Sequence, residues 1–344
     1  MRLKQTLSFD DVLLVPKSSD ILSRKEVTLE CQLGSKALKL PVISSPMDTV
    51  TEVCMASTML TAGGIGILHR YNSKDQQVAL VHELRDCLEE KSADISSIAV
   101  AVSAGKDMIN RSASLYEAGA RVFCVDIAHG HHILMERAIK SLKDKFGDNA
   151  TVVAGNVATA KGYSDLSEWG ADAVRIGIGG GSICSTRIQT GHGVPTFQSV
   201  LDCRDVEGAT IIADGGIKTS GDIVKALAAG ADMVMLGSML AGTEESPGQV
   251  FSRGDGKKYK VYRGMASVEA QVDWRGQARS LEGISTTIPF KGSVKDILAT
   301  IAQNVRSGLS YSGCRDIREF QARAEFIQQS GAGQMESSTH ILSR

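Results

Sequence analysis

The sequence predicts a (β/α)8 barrel. Short β-branched runs alternate with helical stretches along the first 240 residues, and eight such runs can be counted. The junctions Glu117-Ala118-Gly119-Ala120, Glu168-Trp169-Gly170-Ala171-Asp172 and Ala229-Gly230-Ala231-Asp232 repeat one pattern, a helix that ends on glycine and leads into a strand. A doubly wound open sheet is the structural alternative. Eight βα units favour the closed barrel.

In chain order, the predicted strands are Leu40 to Ser45, Gly64 to His69, Ile98 to Val102, Val122 to Ile127, Thr151 to Val157, Val174 to Gly179, Thr210 to Gly215 and Met233 to Ser238. Each is short and apolar, as a strand buried on both faces must be. Helices are predicted over Lys106 to Ala118, Ile133 to Phe146 and Asp222 to Ala229. After residue 240 the repeat stops. Gly254 to Lys260 is polar and reads as a hairpin or loop. Trp274 to Gly283 has no periodicity and reads as the centre of a mobile flap over 266–290. Gly292 to Gly308 reads as a helix, and 330–344 as a flexible or subunit-contacting arm. One catalytic domain is expected to span 1–344.

Bulk composition narrows the function. Hydrophobic content of 42% and charged content of 22% match a water-soluble globular enzyme. A formal net charge of -1 offers no basic surface for nucleic acid. No apolar run is long enough to span a membrane, and Met1-Arg2-Leu3-Lys4 begins no signal-peptide pattern, so a cytoplasmic location is expected. Seven cysteines without CxxC pairs point to reduced thiols, mostly buried, rather than to disulfides or structural zinc.

One cysteine stands apart. Cys184 lies in Gly177-Ile178-Gly179-Gly180-Gly181-Ser182-Ile183-Cys184-Ser185-Thr186-Arg187. The glycines let the backbone approach a ligand closely. The thiol emerges with a hydroxyl two residues on and a guanidinium three residues on, surroundings that favour a nucleophilic thiolate. Cys31, Cys54, Cys87, Cys124, Cys203 and Cys314 lack this setting and read as structural.

In a barrel, chemistry lies where strands end at the C-terminal face. The strand ends here are polar: Ser44-Ser45-Pro46-Met47-Asp48, His69, Asp126, Asn156, the Cys184 loop, Asp214-Gly215-Gly216 and Gly237-Ser238. The last two follow strands seven and eight, which in barrels often cradle a phosphate on backbone amides. Ser182 and Ser238 are natural phosphate donors, and Asp214 can accept from ribose hydroxyls. Asp126 and Asn156 either bond a second ligand or merely cap their loops. His129, His131 and His132 have no carboxylate at ligand spacing and read as a helix start, not as a zinc site. Thr186 and Glu282 are the acid–base candidates; Glu282 reads equally as a solvated flap residue.

At these residues the chain resembles the IMP dehydrogenase and GMP reductase family of purine-nucleotide oxidoreductases. The resemblance runs over nearly the whole chain. It is carried by Leu7-Ser8-Phe9-Asp10-Asp11-Val12-Leu13-Leu14, Ser44 to Glu52, Gly63-Gly64-Ile65-Gly66, Gly155-Asn156-Val157, the Gly179 to Thr186 loop, Ala213-Asp214-Gly215-Gly216-Ile217, Gly237-Ser238 and Tyr262-Arg263-Gly264-Met265. It implies a (β/α)8 barrel, usually assembled as a homotetramer, in which Cys184 attacks purine C2 of a bound GMP or IMP. It further implies that Ser182, Gly216, Gly237, Ser238 and Tyr262 hold the phosphate and Asp214 the ribose, with Gly215 and Gly264 also binding substrate. Ser45, Met47, Met265 and Ala266 would line the base. Asp126, Ala128 and Asn156 would face an NADPH or NAD+ cofactor. Carbonyls of Gly179, Gly181 and Cys184 would take a potassium ion. Gly180 and Ala266 depart from the family pattern.

Two activities share this scaffold. The lack of regulatory modules between Leu68 and Ile98, the short flap without an Arg-Tyr step, the Thr186 and Glu282 pair and Thr190-Gly191-His192-Gly193 favour GMP reductase. Asp48 to Glu52, Gly63 to Gly66, Ala241 to Glu245, Tyr262 to Met265 and Ala332 to Ser338 are closer to IMP dehydrogenase, but they build shared scaffold. The flap is where the reactions differ, so GMP reductase is expected and a compact IMP dehydrogenase is the alternative. A nucleotide-binding protein without catalysis and a flavin-dependent barrel are weaker readings.

Overall fold

Eight parallel strands close on themselves in the computed structural model, which describes residues 3–279 and 281–337. They are β1 (Val42–Ser44), β2 (Ile65–Leu68), β3 (Ala99–Val102), β4 (Val122–Asp126), β5 (Thr151–Val157), β6 (Ala173–Ile176), β7 (Thr210–Asp214) and β8 (Met233–Leu236). Closure comes from pairing of β8 with β1, Val234 opposite Val42 and Leu236 opposite Ser44. The eight predicted strands are these eight, trimmed by up to three residues at their ends, except that β6 starts one residue earlier, at Ala173. The (β/α)8 expectation holds.

Strand side chains alternate between two faces. Ile43, Ile67, Ala101, Cys124, Val153, Ala173, Ile212 and Met235 point inward and fill the barrel. Val42, Leu68, Val100, Val125, Val174 and Leu236 point outward and pack under the helices. The same period carries one more layer upward. Two residues past Cys124, Ala173 and Ile212 come Asp126, Arg175 and Asp214, so the interior becomes charged at the C-terminal mouth.

Among the helices between strands, α1 (Val53–Thr61), α2 (Lys74–Glu90), α3 (Met108–Ala118), α4 (Ile133–Phe146), α5 (Ala160–Glu168), α6 (Thr196–Cys203) and α7 (Ser220–Ala228) cover the outside. Capping boxes start α2 at Ser73 and Gln76 and α7 at Thr219 and Asp222. Gly119, Gly170 and Gly230 take positive φ where the repeated junctions predict helix ends. The helix expected over Gly292 to Gly308 is α8 (Val294–Tyr311). The segment between β2 and β3 holds only α2 and a 3-10 turn, so no module is inserted there.

Three features were not legible in advance. A hairpin, Cys31–Leu33 with Lys36–Leu38, plugs the N-terminal end of the barrel with Leu33 and Leu38. The strand Val12–Leu14 pairs antiparallel with Phe326–Gln328 and joins the two ends of the chain. The flap region 266–290 is not wholly aperiodic. Helix Val268–Arg275 takes in Trp274 and Arg275, and Ser285–Pro289 is a strand. That strand pairs with Lys258–Arg263, which also forms the expected hairpin with Phe251–Ser252. The flap helix escapes a periodicity reading because only Ala270 and Gln271 are buried on it. Of the arm, Gly331–Glu336 is a short helix, and Ser338 to Arg344 lie outside the described residues.

Leu33 has no exposed surface and meets the lowest barrel layer. Leu33→Ala should therefore destabilise the fold by about 2–5 kcal/mol. Urea unfolding of wild type and variant measures this directly.

Candidate active site

A cavity of about 770 Å³ opens at the C-terminal mouth. That volume suits a nucleotide-sized ligand. Every candidate site residue taken from the sequence lines it, including Ala128, Asn156, Gly264 and Glu282. The strand ends and the Cys184 loop therefore converge, except for His69, which is buried against Glu52 at 3.0 Å and does not line the cavity.

The cysteine loop leaves β6 through Gly177, whose φ is +143°. A Cβ there would sit 2.0 Å from the Asp214 carbonyl oxygen, so only glycine fits. Cys184 is half-buried. Its thiol donates to the Thr186 hydroxyl at 3.1 Å, and that hydroxyl donates to Glu282 Oε2 at 2.8 Å. Thiol, hydroxyl and carboxylate thus form one continuous chain. Glu282 is half-buried, lines the cavity and is bonded to Thr186.

The flap delivers Glu282 beside an isolated antiparallel bridge. The Ser185 N–H donates to the Glu282 carbonyl at 2.9 Å, and the Ile284 N–H to the Ile183 carbonyl at 3.1 Å. Cys184 and Gly283 face each other across this antiparallel bridge. On the other side, the Gly264 N–H donates to the Ile284 carbonyl at 2.9 Å. A Cβ on Gly283 would lie 3.0 Å from the Ser267 nitrogen, so a side chain would crowd the backbone of residues 264–267.

Arg187 does not act as the sequence suggests. Its guanidinium turns back to the Val194 carbonyl at 3.0 Å, with its stem against Gly179 and Gly193. It braces the loop, while Thr186 is the thiol's contact. The remaining cysteines are all free thiols. Burial pushes Cys124 up to about 11 and Cys31 and Cys203 up to about 12. Such thiols are poor nucleophiles near neutral pH. Cys54 is exposed rather than buried, on the outer helix α1.

The cavity floor is ionic. Arg175 donates to Asp126 at 2.7 Å and to Asp214 at 2.8 Å. Asn156 donates to the same Asp214 oxygen at 2.8 Å. Asp126 also takes bonds from Arg70 at 3.3 Å and Tyr71 at 3.2 Å. Burial alone would raise the Asp126 carboxyl, but the Arg175 and Arg70 guanidiniums outweigh it and hold it below the usual carboxylate range. Arg175, Arg70 and Tyr71 are the residues that sequence reasoning missed. The signal for Arg175 was present: a lone charge at an inward position of an apolar strand.

Elsewhere on the cavity wall, the Ser182 side chain bonds the Tyr262 hydroxyl, whose pKa burial raises. A Cβ on Gly237 would point at Tyr262 Oη, Met47 Sδ and Ser45 Oγ, at 3.2, 3.5 and 3.6 Å. Of the histidines, His131 bonds Asp165 at 2.8 Å, and His132 caps α4 as the helix start predicted there. Among the described residues no three His, Cys, Asp or Glu side chains come together as a metal cluster. No helix among them is long and apolar enough to cross a membrane.

These features define a (β/α)8 barrel with a thiol–hydroxyl–carboxylate chain at the wall of a ligand-sized cavity. Residues 6–340 match the family described as "IMP dehydrogenase / GMP reductase domain", and the chain belongs to that family of oxidoreductases. It is 36% identical to an inosine-5'-monophosphate dehydrogenase of Nitrosopumilus maritimus, covering 99% of both chains. It is 33% identical to a GMP reductase of Leishmania major, covering 99% of this chain and 98% of the relative. A GMP reductase variant from Trypanosoma brucei, solved in complex with guanosine 5'-monophosphate, superposes with a TM-score of 0.90 at 32% identity, covering 98% of each chain. The Leishmania alignment runs over 483 positions and the Nitrosopumilus alignment over 473, against 344 residues here. Extra length thus occurs in relatives of both names, and its lack does not separate the two activities.

Arg175 gives a prediction about pH. Asp126 has a lowered pKa, so its ionised form stabilises the fold above its unfolded pKa of roughly 4 and loses that effect as pH falls through the folded value. Arg175→Met removes the main partner of two buried carboxylates and should cost about 3–5 kcal/mol near pH 7. Protonation then relieves the variant, so its deficit against wild type should shrink towards pH 5. Urea midpoints at both pH values check the sign.

Proposed function

We propose that the chain is a GMP reductase, converting GMP, NADPH and one proton into IMP, ammonia and NADP+. The supporting observation is the relay from Cys184 through Thr186 to Glu282, with no Arg-Tyr step in the flap. In this proposal the Cys184 sulfur bonds purine C2. The thiol proton passes along Thr186 and Glu282 to the amino group, the C2–N bond breaks, and ammonia leaves. The product on the enzyme is a neutral thioimidate. The nicotinamide cofactor, when bound, supplies one hydride to C2. The carbon–sulfur bond then breaks, and Cys184 regains a proton through the same relay.

The other roles follow the cavity walls. Ser182, Gly215, Gly216, Gly237, Ser238, Tyr262 and Gly264 would seat the phosphate end, with Asp214 at the ribose and Ser45, Met47, Met265 and Ala266 around the base. Asp126, Ala128 and Asn156 would face the cofactor. Asp126 already accepts from three side chains, so it suits a receptor of hydroxyl donors better than a mobile base. Potassium would be held by main-chain oxygens of Gly179, Gly181 and Cys184. Uncharged oxygens suit a large monovalent cation, and the Gly181 carbonyl keeps a second lone pair beyond its bond to the Cys184 N–H. We read residues 1–344 as one catalytic unit, with 266–290 as its moving flap and 330–344 as an arm for a homotetramer.

An IMP dehydrogenase, turning IMP, NAD+ and water into XMP and NADH, is the alternative. Arg275 favours it. This flap arginine lines the cavity and stacks on Trp274, 4.9 Å from the ring centroid, where a guanidinium can orient water.

Nicotinamide absorbance separates the two, with GMP plus NADPH in one cuvette and IMP plus NAD+ and potassium in the other. The reductase predicts NADPH oxidation with ammonia release in the first alone; steady NADH formation in the second would overturn it. Glu282→Gln should lower turnover about 10²–10⁴-fold while leaving nucleotide affinity within a few-fold. Cys184→Ala should abolish turnover and keep binding.

A further inference from the structure

We propose that Arg263 is a positioning residue that latches the flap helix onto the barrel, so that Trp274 closes on Tyr71 beside the cavity. Arg263 ends the strand Lys258–Arg263. One side of its guanidinium bonds Asp48 Oδ2, at 2.6 Å from Nη2 and 3.0 Å from Nε. The other side bonds Asp273 on the flap helix at 2.5 Å. Its backbone N–H donates to Thr49 Oγ1 at 3.3 Å, and the Asp48 N–H meets Met265 Sδ at 3.5 Å. One side chain therefore joins the loop after β1, the strand that carries Tyr262, and the flap.

The flap side of this junction leads straight to the cavity. Trp274 follows Asp273 and meets Tyr71 edge-on, with centroids 5.5 Å apart and planes at 69°. Tyr71 in turn donates to Asp126 at 3.2 Å. Trp274, Tyr71 and Asp126 all line the cavity. A flap helix with only two buried residues has little apolar packing to hold it, so the ion pair decides where it sits.

The two halves of the junction differ in a way that makes it testable. Asp48 and Arg263 are mostly buried, with side chains 14% and 19% exposed, and Asp48 Oδ1 is buried without a hydrogen-bond partner. Removing either would leave a buried charge and risk the fold. Asp273 is 61% exposed, so its replacement removes the latch and leaves the barrel intact.

The test uses the full chain with Trp169→Phe, which leaves Trp274 as the one indole of the two in the sequence. Asp273→Asn should raise acrylamide quenching of Trp274 about twofold and shift its emission to the red, and Asp273→Glu should restore both. An exposed ion pair is weakened by salt, so raising sodium chloride from about 0.05 to about 0.5 M should loosen the parent in the same way and leave the Asn variant unmoved. Thermal midpoints should agree within about 2 °C, and kcat/KM should fall about threefold to fivefold. Equal quenching in parent and Asn variant at low salt overturns the latch, whatever happens to activity. Only the kcat/KM comparison rests on the proposed reaction; the fluorescence comparison decides on its own.

Discussion

The interior of an eight-stranded barrel is filled by side chains in layers, and here the top layer must compensate one buried guanidinium. Arg175 stands two residues above Ala173 on β6, with its side chain 8% exposed. A charge so placed is tolerable only with partners in contact. Asp126 on β4 and Asp214 on β7 supply them from either side. The Arg175–Asp126 pair reaches across β5 to a strand that does not pair with β6, while Arg175–Asp214 ties the paired strands β6 and β7, so together they lock the shape of the mouth. They also fix two carboxylates that face the cavity. The proposed ribose contacts are therefore by-products of the way the barrel neutralises its own core.

The reactive wall is built on a different principle. The Cys184 loop contains little that could hold it alone: glycines, small polar residues and the five-residue helix Thr186–Thr190. Its own Arg187 braces it against the Val194 carbonyl, and flap residues 282–284 hold its tip from outside. Glu282 reaches Thr186 only because residues 282–284 lie in register with 183–185. The acid–base chain is thus assembled between two segments nearly a hundred residues apart. Anything that lifts the flap breaks the relay and frees the thiol loop in the same movement. In the proposed reaction this geometry would couple substrate enclosure to proton transfer without any separate device.

What the sequence disclosed follows from how locally each feature is encoded. The eight strands are local: β-branched runs bounded by polar ends, and glycines with positive φ at 119, 170 and 230. Cys184 and the phosphate-like loops were legible for the same reason. The Leu33 and Leu38 plug was not, because a three-residue strand has too little pattern to distinguish it from a loop. Arg175 was overlooked as one charge within an apolar run, although the strand period alone turns it inward. The direction of Arg187 could not be inferred from spacing, since it depends on the empty volume beside Gly179 and Gly193. The flap helix escaped the sequence reading because it buries only Ala270 and Gln271 and so presents no apolar face, while its one local signal is the capping serine Ser267.

The choice between the two family activities turns on proton bookkeeping at the relay. Addition of a thiol to purine C2 with loss of ammonia is neutral overall, because the thiol's own proton completes the departing amine. A hydroxyl and a carboxylate in line with the sulfur suffice to carry that proton a few ångströms, out and back. Hydrolysis of the same adduct makes a different demand, since a water molecule must be held on the open face of C2 and lose a proton as it attacks. That task calls for a base reaching in from the flap, independent of the sulfur's own hydrogen bond. In this chain the flap's carboxylate bonds Thr186, in line with the sulfur. The groups best placed to move a proton therefore lie along the sulfur, where loss of an amine requires them.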